Sequence, residues 1–219
     1  MISVSRFRLS LFAACLSLGA CQTTAPPAPP ETVAAPPEEE SWRTALREAD
    51  TGRLNRLDEA WREGVAEARA RGFARLVDAE GALLASGGAQ PRVALPPGSY
   101  HCRLIRLGAG PRRAAFTAYP PYFCYVGVED ELLAFTKQTG SERPSGYIWT
   151  DSDVRSVFLG AMIEGAETNP RAYGQDPARD LVGIVERVGP FRYRLVFPFP
   201  QNGAKIDVLE LIPAVPEAG

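Results

Sequence analysis

One histidine, two lysines and no run of 18 apolar residues: these shortages in the 219-residue sequence each remove a class of function. The absent apolar run excludes a spanning helix. The two lysines and 22 arginines stand against 26 acidic residues, giving a net charge of −2, so no basic field exists to hold nucleic acid. The lone histidine, His101, is next to Cys102, and on a strand the two side chains point to opposite faces, so they form no nucleophile–base pair. The sequence also lacks a Gly-x-Ser-x-Gly elbow, a His-Glu-x-x-His helix, a Cys-x-x-Cys pair and a phosphate loop. Thr139-Gly140-Ser141 after Lys137 has the wrong spacing for a phosphate loop and reads as a strand-ending turn. No catalytic residue, metal ligand or cofactor is therefore assigned. With 45% hydrophobic and 23% charged residues, the chain can build a core of ordinary globular composition.

What is present begins with an address. Arg6 and Arg8 precede an apolar stretch, Leu9 to Leu18, of signal-peptide length. It ends in Leu18-Gly19-Ala20-Cys21, which resembles the lipobox of bacterial lipoproteins. The resemblance implies cleavage after residue 20 and a diacylglyceryl group on Cys21, and thus a partner in the membrane itself, reached through a lipid anchor. Gln22 at the next position implies the outer membrane, facing the periplasm. Residues 21–40 read as a tether: six prolines alternate with Ala, Thr and Glu, and Val33 is its one large apolar side chain.

Residues 41–219 read as one globular domain, helical over 41–79 and β over 98–213. Ser41 can cap a short helix carrying Trp42, Ala45 and Leu46, which Asp50-Thr51-Gly52 is expected to interrupt. Leu54, Leu57, Trp61, Val65 and Ala68 then recur every three or four residues, an amphipathic helix expected to run to about Asp78 and to pack on the sheet. Eight strand candidates follow: 99–107, 115–128, 132–138, 146–150, 154–163, 181–188, 191–199 and 206–212. In the seventh, Phe191, Tyr193, Leu195, Phe197 and Phe199 alternate with a largely polar face that includes Arg192 and Arg194. No helix-period segment separates the strands, so the expected fold is mainly antiparallel β: an eight-stranded up-and-down barrel, with a two-sheet sandwich as the alternative.

Among the acids, Glu129-Asp130-Glu131 reads as a solvated hairpin tip. Asp151-Ser152-Asp153 lacks the Gly and Glu of a calcium loop. Asp176, Asp180, Glu186 and Glu210 are carboxylates from which nothing in the sequence selects a catalytic pair. The mature chain would retain two thiols, Cys102 and Cys124. Export to an oxidising compartment favours a disulfide between them. A hairpin folded near residue 113 sets the two almost opposite each other, and without an adjacent His they make an incomplete zinc shell.

Several segments, among them Gly98-Ser99-Tyr100-His101-Cys102-Arg103, Phe135-Thr136-Lys137-Gln138-Thr139-Gly140, Val157-Phe158-Leu159-Gly160 and Asp207-Val208-Leu209-Glu210-Leu211-Ile212-Pro213, resemble domain-of-unknown-function family 4893 of proteobacterial envelope proteins. The resemblance spans residues 42–213 and implies no assigned activity. The order of elements is also similar to lipocalin-like barrels, with Tyr100 where those carry Trp. The expected function is that of a non-enzymatic, lipid-anchored envelope protein whose barrel binds a small ligand or a periplasmic protein partner. The alternatives are a periplasmic hydrolase using a carboxylate pair, or a lysozyme or protease inhibitor.

Overall fold

A computed structural model describes residues 41–110 and 112–214; Cys21, the signal segment and the tether lie outside them. Nine strands follow the helical region: β1 (Gly98–Leu107), β2 (Phe116–Ala118), β3 (Tyr122–Glu129), β4 (Leu132–Lys137), β5 (Glu142–Thr150), β6 (Ser156–Glu164), β7 (Asp180–Gly189), β8 (Arg192–Pro198) and β9 (Ile206–Pro213). Every neighbour in the order β2-β1-β3-β4-β5-β6-β7-β8-β9 is antiparallel, and β9 closes back on β1 over eight residue pairs, from Tyr100–Pro213 to Leu107–Ile206. The result is a closed eight-stranded barrel, not a sandwich, with β2 as an extra strand. The expected strand 115–128 is split because Pro120 and Pro121 supply no N–H to a ladder. β2 pairs with the end of β1 and β3 with its beginning.

The inward-facing residues form one core. Phe158 stands edge-on to both Phe135 and Phe197, with ring centroids 5.9 and 5.8 Å apart. Tyr100, Ile148, Val185, Tyr193 and Leu211 fill the space around them. Gly146 and Gly160 face each other across β5 and β6. A Cβ on Gly146 would lie 2.3 Å from the Leu159 carbonyl oxygen and 2.4 Å from the Gly160 Cα. Only glycine permits so close an approach. One end of the barrel is closed by the segment before β1: Val93 and Leu95 enter the core, Val93 N–H donates to the Asp153 carbonyl, and the Tyr100 hydroxyl donates to Pro96 O.

Four helices, α1 (Trp42–Ala45), α2 (Glu48–Asn55), α3 (Leu57–Ala68) and α4 (Ala74–Ala79), and a 3-10 turn at Gly81–Leu84, wrap the outside. Trp61, Ala60, Ala68, Val77 and Leu83 pack on the outer faces of β1, β8 and β9. Trp42, Leu46 and Leu54 pack over Trp149, Val157 and Ile184 of β5, β6 and β7. Two helical expectations are corrected. Asp50-Thr51-Gly52 does not break the chain but lies inside α2, because the buried Asp50 carboxylate is bonded by Tyr173 Oη and Arg53. The long helix does break, at Arg71 and Gly72, where Gly72 takes φ +91°.

The polar face expected for residues 192–198 is also corrected, since the helices cover it. Arg194 is fully buried there: Nε and Nη2 bind Glu186 at 2.7 and 2.6 Å, and Nη1 donates to the Leu83 and Ala85 carbonyls at 2.9 and 2.8 Å. Phe191, expected at the head of the apolar face, is instead in the β7–β8 turn and 72% exposed.

Candidate functional site

The end of the barrel opposite the 91–97 plug holds a cavity of about 250 Å³. Its apolar walls are Leu104, Pro144, Met162, Leu181, Phe197 and Leu209, each placed inward by strand alternation. Two loops, 165–179 and 199–205, contribute Arg179, Gln201 and Asn202 to its rim, and Gln201 Nε2 donates to Pro177 O between them.

The polar side of the cavity is lined from the strands by Lys137 of β4, Glu142 of β5, Glu164 of β6 and Asp207 of β9, and Arg106 of β1, outside that lining, binds two of these acids. Arg106 and Asp207 are cross-strand partners, and their side chains meet in a bidentate pair at 2.9 Å (Nε–Oδ1) and 2.8 Å (Nη2–Oδ2). The same Nη2 donates to Glu142 Oε2 at 2.9 Å, and Asn202 Nδ2 donates to Asp207 Oδ2 at 2.7 Å. Two carboxylates thus share one guanidinium, which they hold firmly protonated against its own burial. Burial pushes the Asp207 carboxyl up, more than Arg106 and Asn202 hold it down.

Lys137, at the end of β4, is 4% exposed. Its Nζ donates to the Thr139 and Glu142 carbonyls, both at 2.8 Å, and lies 3.8 Å from the centroid of the Tyr122 ring. Burial lowers its pKa to about 8. Strand alternation from Leu133 and Phe135 carries the signal that Lys137 faces inward. No local motif in the sequence marks Arg106, Glu142 or Asp207.

The carboxylates singled out from sequence lie elsewhere. Asp176 pairs with Arg171 and Arg179 in the loop, and Glu186 pairs with Arg194 beneath the helices. Glu210 binds Arg103 and Arg192 on the outer surface of the sheet. Asp180 is buried against α2, where it accepts from Gly174 N and where burial raises its pKa. Asp151 is held by Arg43 and Arg155, Asp153 accepts from Arg92 N, and Glu129 accepts from the Tyr147 hydroxyl. Among the described residues no three His, Cys, Asp or Glu side chains are grouped to hold a metal ion. No described helix is long and apolar enough to cross a membrane.

Cys102 and Cys124 form a disulfide, with Cα atoms 6.0 Å apart. They are diagonal neighbours, not opposite ones: Cys102 faces Tyr122 and Cys124 faces Tyr100. His101 points outward, its ring 5.4 Å from that of Phe123, and it does not meet Cys102.

A family model described as a domain of unknown function (DUF4893) matches residues 42–211, which span the helices and nearly the whole barrel. No curated protein and no solved structure matches the chain.

Proposed function

The chain belongs to the DUF4893 family, and from that premise and the geometry of the barrel we propose that it is a non-enzymatic binding protein that takes up a small ligand through the open end of the barrel. The cavity carries this reading: an apolar, one-ended space of about 250 Å³ with a few converging polar groups has the form of a ligand pocket. At about 30 Å³ per water, it has the volume of about eight waters. The hydrolase alternative finds less support. Of the carboxylates lining the cavity, Glu142 and Asp207 are both bound by one guanidinium nitrogen of Arg106, and Glu164 pairs with Arg179. An inhibitor of lysozymes or proteases would use an outer surface, where Phe123 and Tyr125 are two of several exposed large apolar residues, with Leu76, Val128, Val154, Phe191 and Ile212.

The proposed setting is the periplasmic face of the outer membrane, with Cys21 carrying the lipid. Leu18-Gly19-Ala20-Cys21 supports the anchor, and the Cys102–Cys124 bond suits an oxidising compartment. Native mass spectrometry of full-length protein, extracted in mild detergent, tests the binding function. A small molecule carried by the wild type and lost in Leu181→Trp, which fills the cavity, supports it. An empty wild type that also fails to bind short-chain amphiphiles overturns it. Cys21→Ala should release the protein from the membrane fraction and abolish labelling by a clickable fatty acid; retention in the membrane refutes the anchor.

A further inference from the structure

The charged groups around the cavity are paired, with one exception. Arg106 holds Asp207 and Glu142, and Arg179 engages Glu164, Glu167 and Asp176. Lys137 has no carboxylate partner among the described residues: its ammonium rests on two backbone carbonyls and a ring face. An ammonium has three N–H donors, so one is not committed to an oxygen. A buried cation left without a counter-charge costs free energy unless something supplies that charge.

The surroundings are shaped to hold this ammonium in place. The 138–141 turn folds over it, and a Cβ on Gly140, which takes φ +91°, would lie 2.8 Å from Nζ and 2.9 Å from Tyr122 Cε1. Glu142, the nearest acid that influences Lys137, turns its Oε2 to Arg106 instead. From the polar side the cavity continues into the apolar wall of Leu104, Met162, Leu181, Phe197 and Leu209.

We propose that the barrel cavity binds a small monocarboxylate, with the carboxylate on Lys137 and an aliphatic body against the apolar wall. This rests on the reading of the cavity as a ligand site. A charge-assisted hydrogen bond to the ammonium favours a carboxylate over a neutral carbonyl. The carboxylates on Arg106 disfavour a second negative charge, and Lys137 itself repels a cationic head.

Calorimetric titration of the full-length protein with octanoate, octanamide and octylamine at pH 7 tests the assignment. Octanoate should bind at least tenfold more tightly than octanamide, and octylamine most weakly. Lys137→Met should lower octanoate affinity to that of octanamide. In the wild type, octanoate affinity should fall more than tenfold between pH 7 and pH 9.5, as the ammonium loses its proton, while octanamide affinity stays flat. That profile decides the matter even if the variant does not fold. Octanamide or octylamine binding as well as octanoate, or an octanoate profile without pH dependence, overturns the carboxylate assignment and leaves the pocket standing. Failure of all three probes to bind the wild type overturns the pocket itself.

Discussion

Replacing Arg194 separates two accounts of how the helices are fastened to the barrel. Its guanidinium is fully buried, 4.7 Å from the Trp61 ring, and does two jobs: it pairs with Glu186, whose side chain is 13% exposed, and it ties the 3-10 turn to β8 through the Leu83 and Ala85 carbonyls. A hydrogen bond to a charged group contributes about 1.5–3 kcal/mol, so the two carbonyl ties together are worth about 3–6 kcal/mol. Arg194→Met keeps the apolar stem but abandons both carbonyls and the Glu186 carboxylate. Removing one partner of a buried pair costs about 3–5 kcal/mol, and with the carbonyl ties abandoned as well we expect a loss at or above the top of that range. Against a domain stability of about 5–15 kcal/mol, this is a large shift of the urea midpoint. Glu186→Gln leaves the carbonyl ties intact and should cost about 1–2 kcal/mol. Urea unfolding followed by tryptophan fluorescence, with Trp61 as the nearest reporter, measures both. If Glu186→Gln proves as damaging as Arg194→Met, the ion pair and not the carbonyl ties fastens the helices, and the reasoning fails.

Three further outcomes follow from other parts of the barrel. Gly160→Ala would place a Cβ 2.2 Å from the Ser145 carbonyl oxygen; backbone cannot yield as a side chain can, so the loss should reach or exceed the upper end of about 1–3 kcal/mol for overpacking, and a loss under 0.5 kcal/mol by thermal melting would refute the close approach. Cys102→Ser with Cys124→Ser should cost about 3 kcal/mol for a bridge spanning 22 positions, and alkylation of unreduced protein should find neither thiol free. Lys137 holds its proton less tightly folded, near 8, than unfolded, near 10.5, so its stability contribution is lowest below pH 8 and rises as pH climbs through that interval. The stability of wild type relative to Lys137→Met should accordingly rise between pH 7 and 9.5, and an unchanged difference would contradict the burial of the charge.

Strand alternation and turn residues were enough to read the antiparallel barrel and the Cys102–Cys124 bond from sequence, because both depend on periodicity and on distance from a turn. What escaped was set by tertiary cover. Alternation reveals an inside and an outside only where the outside is wet. Here the helices cover the outer faces of β5–β9 and β1, so Arg194 looked like a solvent residue and is buried. The near-opposite placement expected of Cys102 and Cys124 is realised diagonally: the ladder pairs Cys102 with Tyr122 and Cys124 with Tyr100, and the bridge joins the two cysteines across that step. The cavity residues were hidden for a different reason. Arg106, Lys137, Glu142 and Asp207 are scattered over four strands, and the closure of the barrel, not any local motif, gathers them.

The pairing of β9 with β1 makes the two ends of the sheet depend on each other. Until residues 206–213 join, β1 and β8 each present a row of unpaired amides and carbonyls along one side, the feature that recruits strands from other molecules. A product truncated before Ile206 would carry both open edges at once and should aggregate, even though it retains Val93, Leu95 and the disulfide. β1 must also wait about a hundred residues for this partner. Contacts so distant in sequence make folding slow, and over that interval the bridge from Cys102 to Cys124 can guard the other side of β1.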